Sequence, residues 1–354
     1  MSIGYYNIFI VFTWITMATK DEVSTTRYEA SPFIDVEHPI TLYEGVKLVI
    51  MAPIALMRLL LILMVLFLAY LPSAIVVSIV DSRGHLQRGE PLGTRTQMVL
   101  GAIIRGAARV YLFIAGFYWI KKVDHRKIDC PGKGKEPKHI MVYNHVSYCD
   151  PLVLLSCVGP CSGVAKSGVA TIPLVGKITV ALQYILISRN GSNDKANKFT
   201  CTLDPQEAVT KRSLEAEDFP VFTLAPEATT KPKHCLLKFR KGAFVPGKPV
   251  VPVLLKYPCK HFNVGWGIPY SDAFHVWRFL SQCIHRCEIE ILSTYYPSSE
   301  EQSDPELYAE NVRKLMGDWL GVDLVDSDVK EECHLRKLGV STNFRGTRVV
   351  IGKH

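Results

Sequence analysis

The sequence predicts an α/β fold with a mixed central sheet flanked by helices, preceded by an N-terminal transmembrane or re-entrant helical segment. Three observations carry this. Between about residues 139 and 321, short apolar runs alternate with helical patterns. Asp-Pro occurs at 150–151, 204–205 and 304–305, each time ahead of a helical pattern. The pair joins a helix N-cap to a first position that needs no N–H. Finally, Leu59 to Val80 is 22 residues without a charge, long enough to cross the hydrocarbon core as a helix.

Taken in order, residues 1–47 form a leader. Asn7 to Met17 is apolar but short, with no basic region before it and no small-residue cleavage site, which argues against a cleaved signal peptide. Residues 18–47 are polar and mixed in charge, and read as a linker. Residues 48–80 are the membrane segment. Pro53 and Pro72 leave a single crossing and a re-entrant hairpin both open.

Residues 81–125 are basic, with Arg83, Arg88, Arg95, Arg105, Arg109, Lys121 and Lys122 against only Lys20, Arg27 and Lys47 in 18–47. Positive charge marks the cytosolic side. The second apolar stretch, 98–120, is interrupted by Arg105 and Arg109, four apart and so on one face. It predicts an interfacial helix rather than a second span.

Residues 126–325 are the α/β domain. Strands are expected at 140–143, 164–165, 184–188, 221–224, 250–255 and 288–292. Helices are expected at 150–157, 174–182, 204–217 and from 304 to near Gly321. Residues 326–354 are polar, without periodicity, and read as a C-terminal tail.

The chain has 354 residues, 48% of them apolar, with 41 Lys and Arg against 33 Asp and Glu. That balance suits anionic membrane surfaces or phosphate-bearing substrates. No nucleic-acid recognition motif is present. The ten cysteines form no paired CxxC framework. Cys283-Ile284-His285-Arg286-Cys287 is the best metal candidate, but buried free thiols on a reduced, cytosol-facing protein are the better reading, so no metal is expected.

Chemistry gathers where predicted strands end. Asn144-His145-Val146-Ser147-Tyr148-Cys149-Asp150 follows the run Ile140 to Tyr143. Imidazole titrates near neutral pH without help, and a carboxylate that fixes its tautomer makes it a better base. On an ideal helix a five-residue separation sets side chains about 140° apart, so contact between His145 and Asp150 requires a turn. Read alone, Asp150 can equally cap a helix while His145 sits on a surface loop. Ile187-Ser188-Arg189-Asn190 ends a strand in an arginine, which suits phosphate or is simply solvated. Leu224 to Thr230 sets Glu227, Thr229 and Thr230 in a tight loop, suited to a polar headgroup or to local turn bonding. Val245 to Val253 is a proline-punctuated strand entry. The basic run Lys231, Lys233, His234, Lys238, Arg240 and Lys241 suits phosphates, or is a solvated face.

In this order and spacing the four stretches resemble the glycerolipid acyltransferase (PlsC-like) superfamily. Asn144, His145 and Asp150 match its Asn-His-x-x-x-x-Asp. Arg189 matches the arginine that ends its second motif. Pro226, Glu227 and Thr229 match Pro-Glu-Gly-Thr, and Pro249 to Pro252 match the fourth motif. Lys238 to Gly247, Pro252 to Tyr257, Glu288 to Leu292 and Tyr308 to Arg313 look like the lysophosphatidylcholine acyltransferase branch. The similarity covers about residues 45–325.

The resemblance implies an endoplasmic reticulum membrane enzyme with its catalytic domain facing the cytosol. It would move an acyl group from acyl-CoA, a co-substrate rather than a bound cofactor, to a lysophospholipid, with a lysophosphatidylcholine-like acceptor favoured. It implies His145 as general base and Asp150 as its orienting partner. Asn144, Arg189, Glu227 and Thr229 are implied substrate-binding residues, with Arg189 at the phosphate. Ala228 stands where the family has glycine, and Ala225 where it has an aromatic. Ala228 keeps open an alternative in which the fold binds lipid surfaces without turnover. Asp323 to Asp328 lacks the glycine of an EF-hand loop, so no calcium control through such loops is expected. Asn190-Gly191-Ser192 is a glycosylation sequon that a cytosolic domain would leave unmodified.

Overall fold

The computed structural model describes residues 28–81, 89–126, 138–188, 199–201 and 203–352, and the backbone of 23–24. Helix α1 (Leu42–Ile50) is capped by Thr41, whose hydroxyl accepts from the Glu44 amide. It buries Glu44 and Leu48 and exposes Leu42, Val46, Val49 and Ile50. Glu44 is matched in the interior by Lys47, by Arg278 at 3.5 Å and by Gln282 at 3.4 Å.

Helix α2 (Ala52–Asp81) is unbroken through Pro72. The charge-free run Leu59 to Val80 therefore lies in one helix, with no hairpin inside it, while residues 48–50 of the expected membrane segment close α1. Leu56, Leu60, Leu63, Phe67, Leu71 and Ile75 lie bare on its outer surface, a face suited to lipid. Arg58, its interior charge, is buried and donates to the carbonyls of Leu280 (2.9 Å) and Gln282 and to Tyr118 Oη (2.9 Å). This end of α2 is thus anchored to the domain.

Helix α3 (Thr94–Ala115) packs along α2 and ends at Gly116, whose φ of 109° lies in the left-handed region. It too is long and apolar enough to cross a membrane. The described residues thus carry two candidate spans, where the sequence reading has one span and an interfacial helix. The arginines that interrupt this stretch are spent on backbone: Arg105 donates to Ser156 O, and Arg109 to Phe117 O and Tyr118 O. Arg83 and Arg88 lie outside the described residues.

The domain is built on a six-stranded sheet of β1 (Ile120–Asp124), β2 (Ile140–Tyr143), β3 (Cys161–Ser162), β4 (Val221–Leu224), β5 (Val250–Lys256) and β6 (Cys287–Ile291), in the order β1-β6-β5-β2-β4-β3. Only β5–β6 is antiparallel; the other four pairings are parallel. The sheet is therefore mixed, as expected. Central strands β2 and β5 are buried on both faces, which explains their unbroken apolar sequence. Helices α4 (Asp150–Cys157), α5 (Val175–Ala181), α6 (Pro205–Leu214), α7 (Asp272–Leu280) and α8 (Pro305–Leu320) surround it. Asp204 caps α6 by accepting from Gln206 N, and Asp304 caps α8 by accepting from Glu306 N and Leu307 N.

Two expected irregular segments are folded. Within the C-terminal stretch read as a tail, α9 (Val329–Lys337) is followed by strands Val340–Thr342 and Val349–Ile351, which pair with each other and, through Val349–Ile351, with Val23–Ser24. Leu335, Val340 and Val349 pack around Phe33 and Ile34, inside the stretch read as a linker. The two C-terminal strands have three residues each, too few for a visible period, and their apolar partners lie some three hundred residues away in sequence.

Candidate active site

The sheet's parallel pairing creates the site. β2 and β4 run side by side in the same direction, so the loops leaving their C-terminal ends meet. In open α/β sheets that end is where ligands bind. One loop carries His145 and the other Glu227.

Where β2 ends, Asn144 extends the ladder with its side chain. Its amide donates to Leu255 O (2.9 Å) and accepts from Leu255 N (2.8 Å). Both ends of the amide are used, so Asn144 aims the next residue. The backbone then turns, and His145 Nδ1 meets Asp150 Oδ2 at 2.7 Å. The turn the spacing demands is present.

Asp150 is fully buried and opens α4 as its first residue, with Cys149 at the N-cap. The sequence reading made Asp150 the cap. Instead its carboxylate points back into the loop, where Oδ2 also accepts from Val146 N (2.7 Å) and Ser147 N (3.0 Å). Oδ1 accepts from Tyr257 Oη at 2.6 Å. Burial, and then the Asp150 carboxylate, push the Tyr257 phenol well above its ordinary pKa, so Tyr257 stays a donor. Four donors thus fix the carboxylate that holds the imidazole. With Nδ1 engaged as a donor, Nε2 remains to take a proton, and the His145 side chain is 22% exposed. Cys149 is fully buried, and its thiol is pushed far above the usual range by burial and then by Asp150. Neither it nor buried Ser147 is placed as a nucleophile.

The Pro226–Thr229 loop lies behind this pair. Glu227, expected to touch substrate, is buried with both oxygens engaged. Oε1 accepts from His145 N and Oε2 from Leu237 N, each at 2.8 Å. It also forms an ion pair with Lys231, itself only 1% exposed, which reaches His145 O at 3.4 Å. A carboxylate so surrounded positions the His145 backbone; this corrects the expectation for Glu227 and the surface or phosphate reading of Lys231. Thr229 is likewise turned inward, its hydroxyl bonded to Glu332 of α9. Ala228 has φ of 59°. That is the left-handed region in which a Cβ costs energy and glycine does not, a physical reason for glycine at this point of the motif. Arg189 lies outside the described residues, as does the sequon at Asn190.

Sequence reasoning missed Tyr257 and the inward role of Lys231. Tyr257 sits just past β5, and nothing local links it to Asp150. The four-residue step from Glu227 to Lys231 was visible, but in a loop that spacing carries no geometry. His285, the heart of the weak metal candidate, instead packs against the rings of both Phe117 and Phe279, and its Nε2 bonds Phe279 O at 2.9 Å.

The family model Acyltransferase matches residues 126–256, the stretch that supplies β2, β4 and β5, with Asn144, His145, Asp150, Glu227 and Lys231; Tyr257 lies one residue beyond it. Residues 126–256 are an acyltransferase-family domain. Lysophospholipid acyltransferase LPEAT1 of Arabidopsis thaliana is 38% identical over 232 residues, 60% of this chain and 56% of that protein. The lysophosphatidylcholine acyltransferase of Drosophila melanogaster is 38% identical over 193 residues, 54% of this chain and 35% of that protein. The chain therefore spans between about a third and a little over half of these curated relatives. The crystal structure of the 1-acyl-sn-glycerophosphate (LPA) acyltransferase PlsC from Thermotoga maritima aligns with 75% of this chain and 98% of its own, at 19% identity and a TM-score of 0.43.

Proposed function

We propose that this protein is a membrane-bound acyltransferase that moves a fatty acyl group from acyl-CoA to the free hydroxyl of a lysophospholipid. A lysophosphatidylcholine-like acceptor is favoured. The observation that carries the reading is the His145–Asp150 pair at 2.7 Å, set at the C-terminal end of a parallel strand within the family-matched residues. The names of the relatives supply the substrate class.

In this reading His145 Nε2 takes the acceptor's hydroxyl proton as its oxygen attacks the thioester carbon. An alcohol is a poor nucleophile until that proton is leaving. The C–S bond breaks and CoA departs with the proton that His145 returns. Asp150 holds the imidazole in one tautomer and stabilises the imidazolium that forms. No acyl-enzyme is needed. Arg189 binds the lysolipid phosphate through its planar fork. Asn144, Glu227 and Thr229 serve substrate indirectly, by fixing the loops that frame it. The binding-only alternative loses support because Ala228 accepts the backbone conformation glycine prefers. We assign the protein to the endoplasmic reticulum membrane with the domain facing the cytosol. Lys121 and Lys122, which follow α3, and the family resemblance support this.

Purified protein given labelled acyl-CoA and a panel of lysolipids tests the reading. His145→Ala is expected to lose at least about 100-fold in turnover, the lower end of what a positioned base contributes. Undiminished turnover in that variant would remove His145 from the chemistry.

A further inference from the structure

A second group of reactive side chains lies outside this site. Cys259 Sγ is 3.4 Å from His38 Nε2. His38 Nδ1 faces Asp35, at 3.0 Å to Oδ2 and 3.1 Å to Oδ1. Asp35 Oδ1 is itself held by the amides of Glu37 and His38. A thiol, a base in reach of it and a carboxylate orienting that base form the arrangement that activates a nucleophile. Among the described cysteines, Cys259 alone has this setting, and it is partly open to solvent. Burial raises the thiol, but the neighbouring imidazoles of His234 and His38 outweigh it and leave Cys259 at about 7, below the ordinary thiol.

The location adds a second argument. His38 lies four residues before α1, and the Tyr43 ring of α1 sits 5.0 Å from the ring of His261, two residues beyond Cys259. The exposed face of α1 is apolar, with Leu42, Val46, Val49 and Ile50 bare. A chain attached at Cys259 has a lipid-facing neighbour to lie beside, as juxtamembrane acylated cysteines do.

We propose that Cys259 is an S-acylation site, at which the thiolate takes a long acyl chain directly from acyl-CoA. The Cys259 sulfur attacks the thioester carbonyl carbon, a new S–C bond forms, and the bond from that carbon to the CoA sulfur breaks. CoA leaves as thiolate and takes the proton that His38 accepted from Cys259. Nothing is oxidised. The donor class rests on the proposed acyltransferase reading, but the acceptor does not.

The test gives the full-length protein radiolabelled palmitoyl-CoA without lysolipid and measures hydroxylamine-labile label on the protein. Label is expected on wild type and on His145→Ala. It should vanish in Cys259→Ser and fall at least about 10-fold in His38→Ala. Asp35→Asn, a positioning variant, should lower labelling with the thiol still present. In wild type, iodoacetamide should alkylate Cys259 faster at pH 7 than the more exposed Cys333. Cys259→Ser should still acylate lysolipid. Label in Cys259→Ser equal to wild type overturns the proposal, as does zinc bound stoichiometrically by wild type and lost in that variant, because a coordinated thiolate is not free to attack. Loss of lysolipid acylation in wild type with protein labelling intact would instead strike the proposed function.

Discussion

Glu227→Gln separates a substrate-binding carboxylate from one that holds the fold together. Both partners of the Glu227–Lys231 pair are about 1% exposed, so the substitution strands a buried ammonium. Breaking a buried pair on one side costs about 3–5 kcal/mol. The new amide also sets a donor against either the His145 or the Leu237 N–H that the carboxylate now accepts. A domain of this size loses about 2–4 °C of Tm per kcal/mol, so the apparent Tm should fall by roughly 10 °C in matched scans. Adding Lys231→Met removes the stranded charge and should recover about half of the loss, a coupling of about 2 kcal/mol between the two sites. In the enzyme assay, kcat should fall while KM for lysolipid changes little, because Glu227 reaches the chemistry only through the His145 backbone. A Tm within about 1 °C of wild type together with a raised KM would refute this reasoning and return Glu227 to the substrate.

Other perturbations test neighbouring parts of the structure. Asp150→Asn should keep the fold, since Tyr257 can turn its hydroxyl to accept, but lower kcat by at least about 100-fold by loosening control of the His145 tautomer; near-normal kcat would remove Asp150 from its assigned role. Ala228→Gly relieves a left-handed Cβ worth about 1–2 kcal/mol and gives back about half through unfolded-state entropy, so denaturant titration should show a net gain near 1 kcal/mol. His275 and His285 are each lowered from 6.5 to about 4, first by burial and then, for His275, by Arg278; for His285 the Phe279 carbonyl opposes burial while Arg58 and Lys47 add to it. The unfolded chain therefore binds more protons than the folded one between those values. Stability should be full above about pH 6.5 and fall as pH drops towards 4, by roughly 3 kcal/mol from His285 alone. Thermal melts of wild type and His275→Leu across that range should show a shallower fall in the variant.

The sequence alone determined the elements whose signals are local. Ile140–Tyr143 and residues 250–255 form strands because unbroken apolar runs suit strands buried on both faces, and Asp204 and Asp304 start helices because capping bonds span two or three residues. The same locality made the His145–Asp150 pair visible, since only a turn separates them. What tertiary structure decided is which way each polar group faces. Glu227 turns inward because Leu237 and Lys231 await it, and Asp150 is held by Tyr257 from beyond β5. The C-terminal stretch folds because Phe33 and Ile34 need cover. A buried charge finds its partner through sheet order and loop packing, and those contacts join residues whose separation in sequence carries no periodic signal.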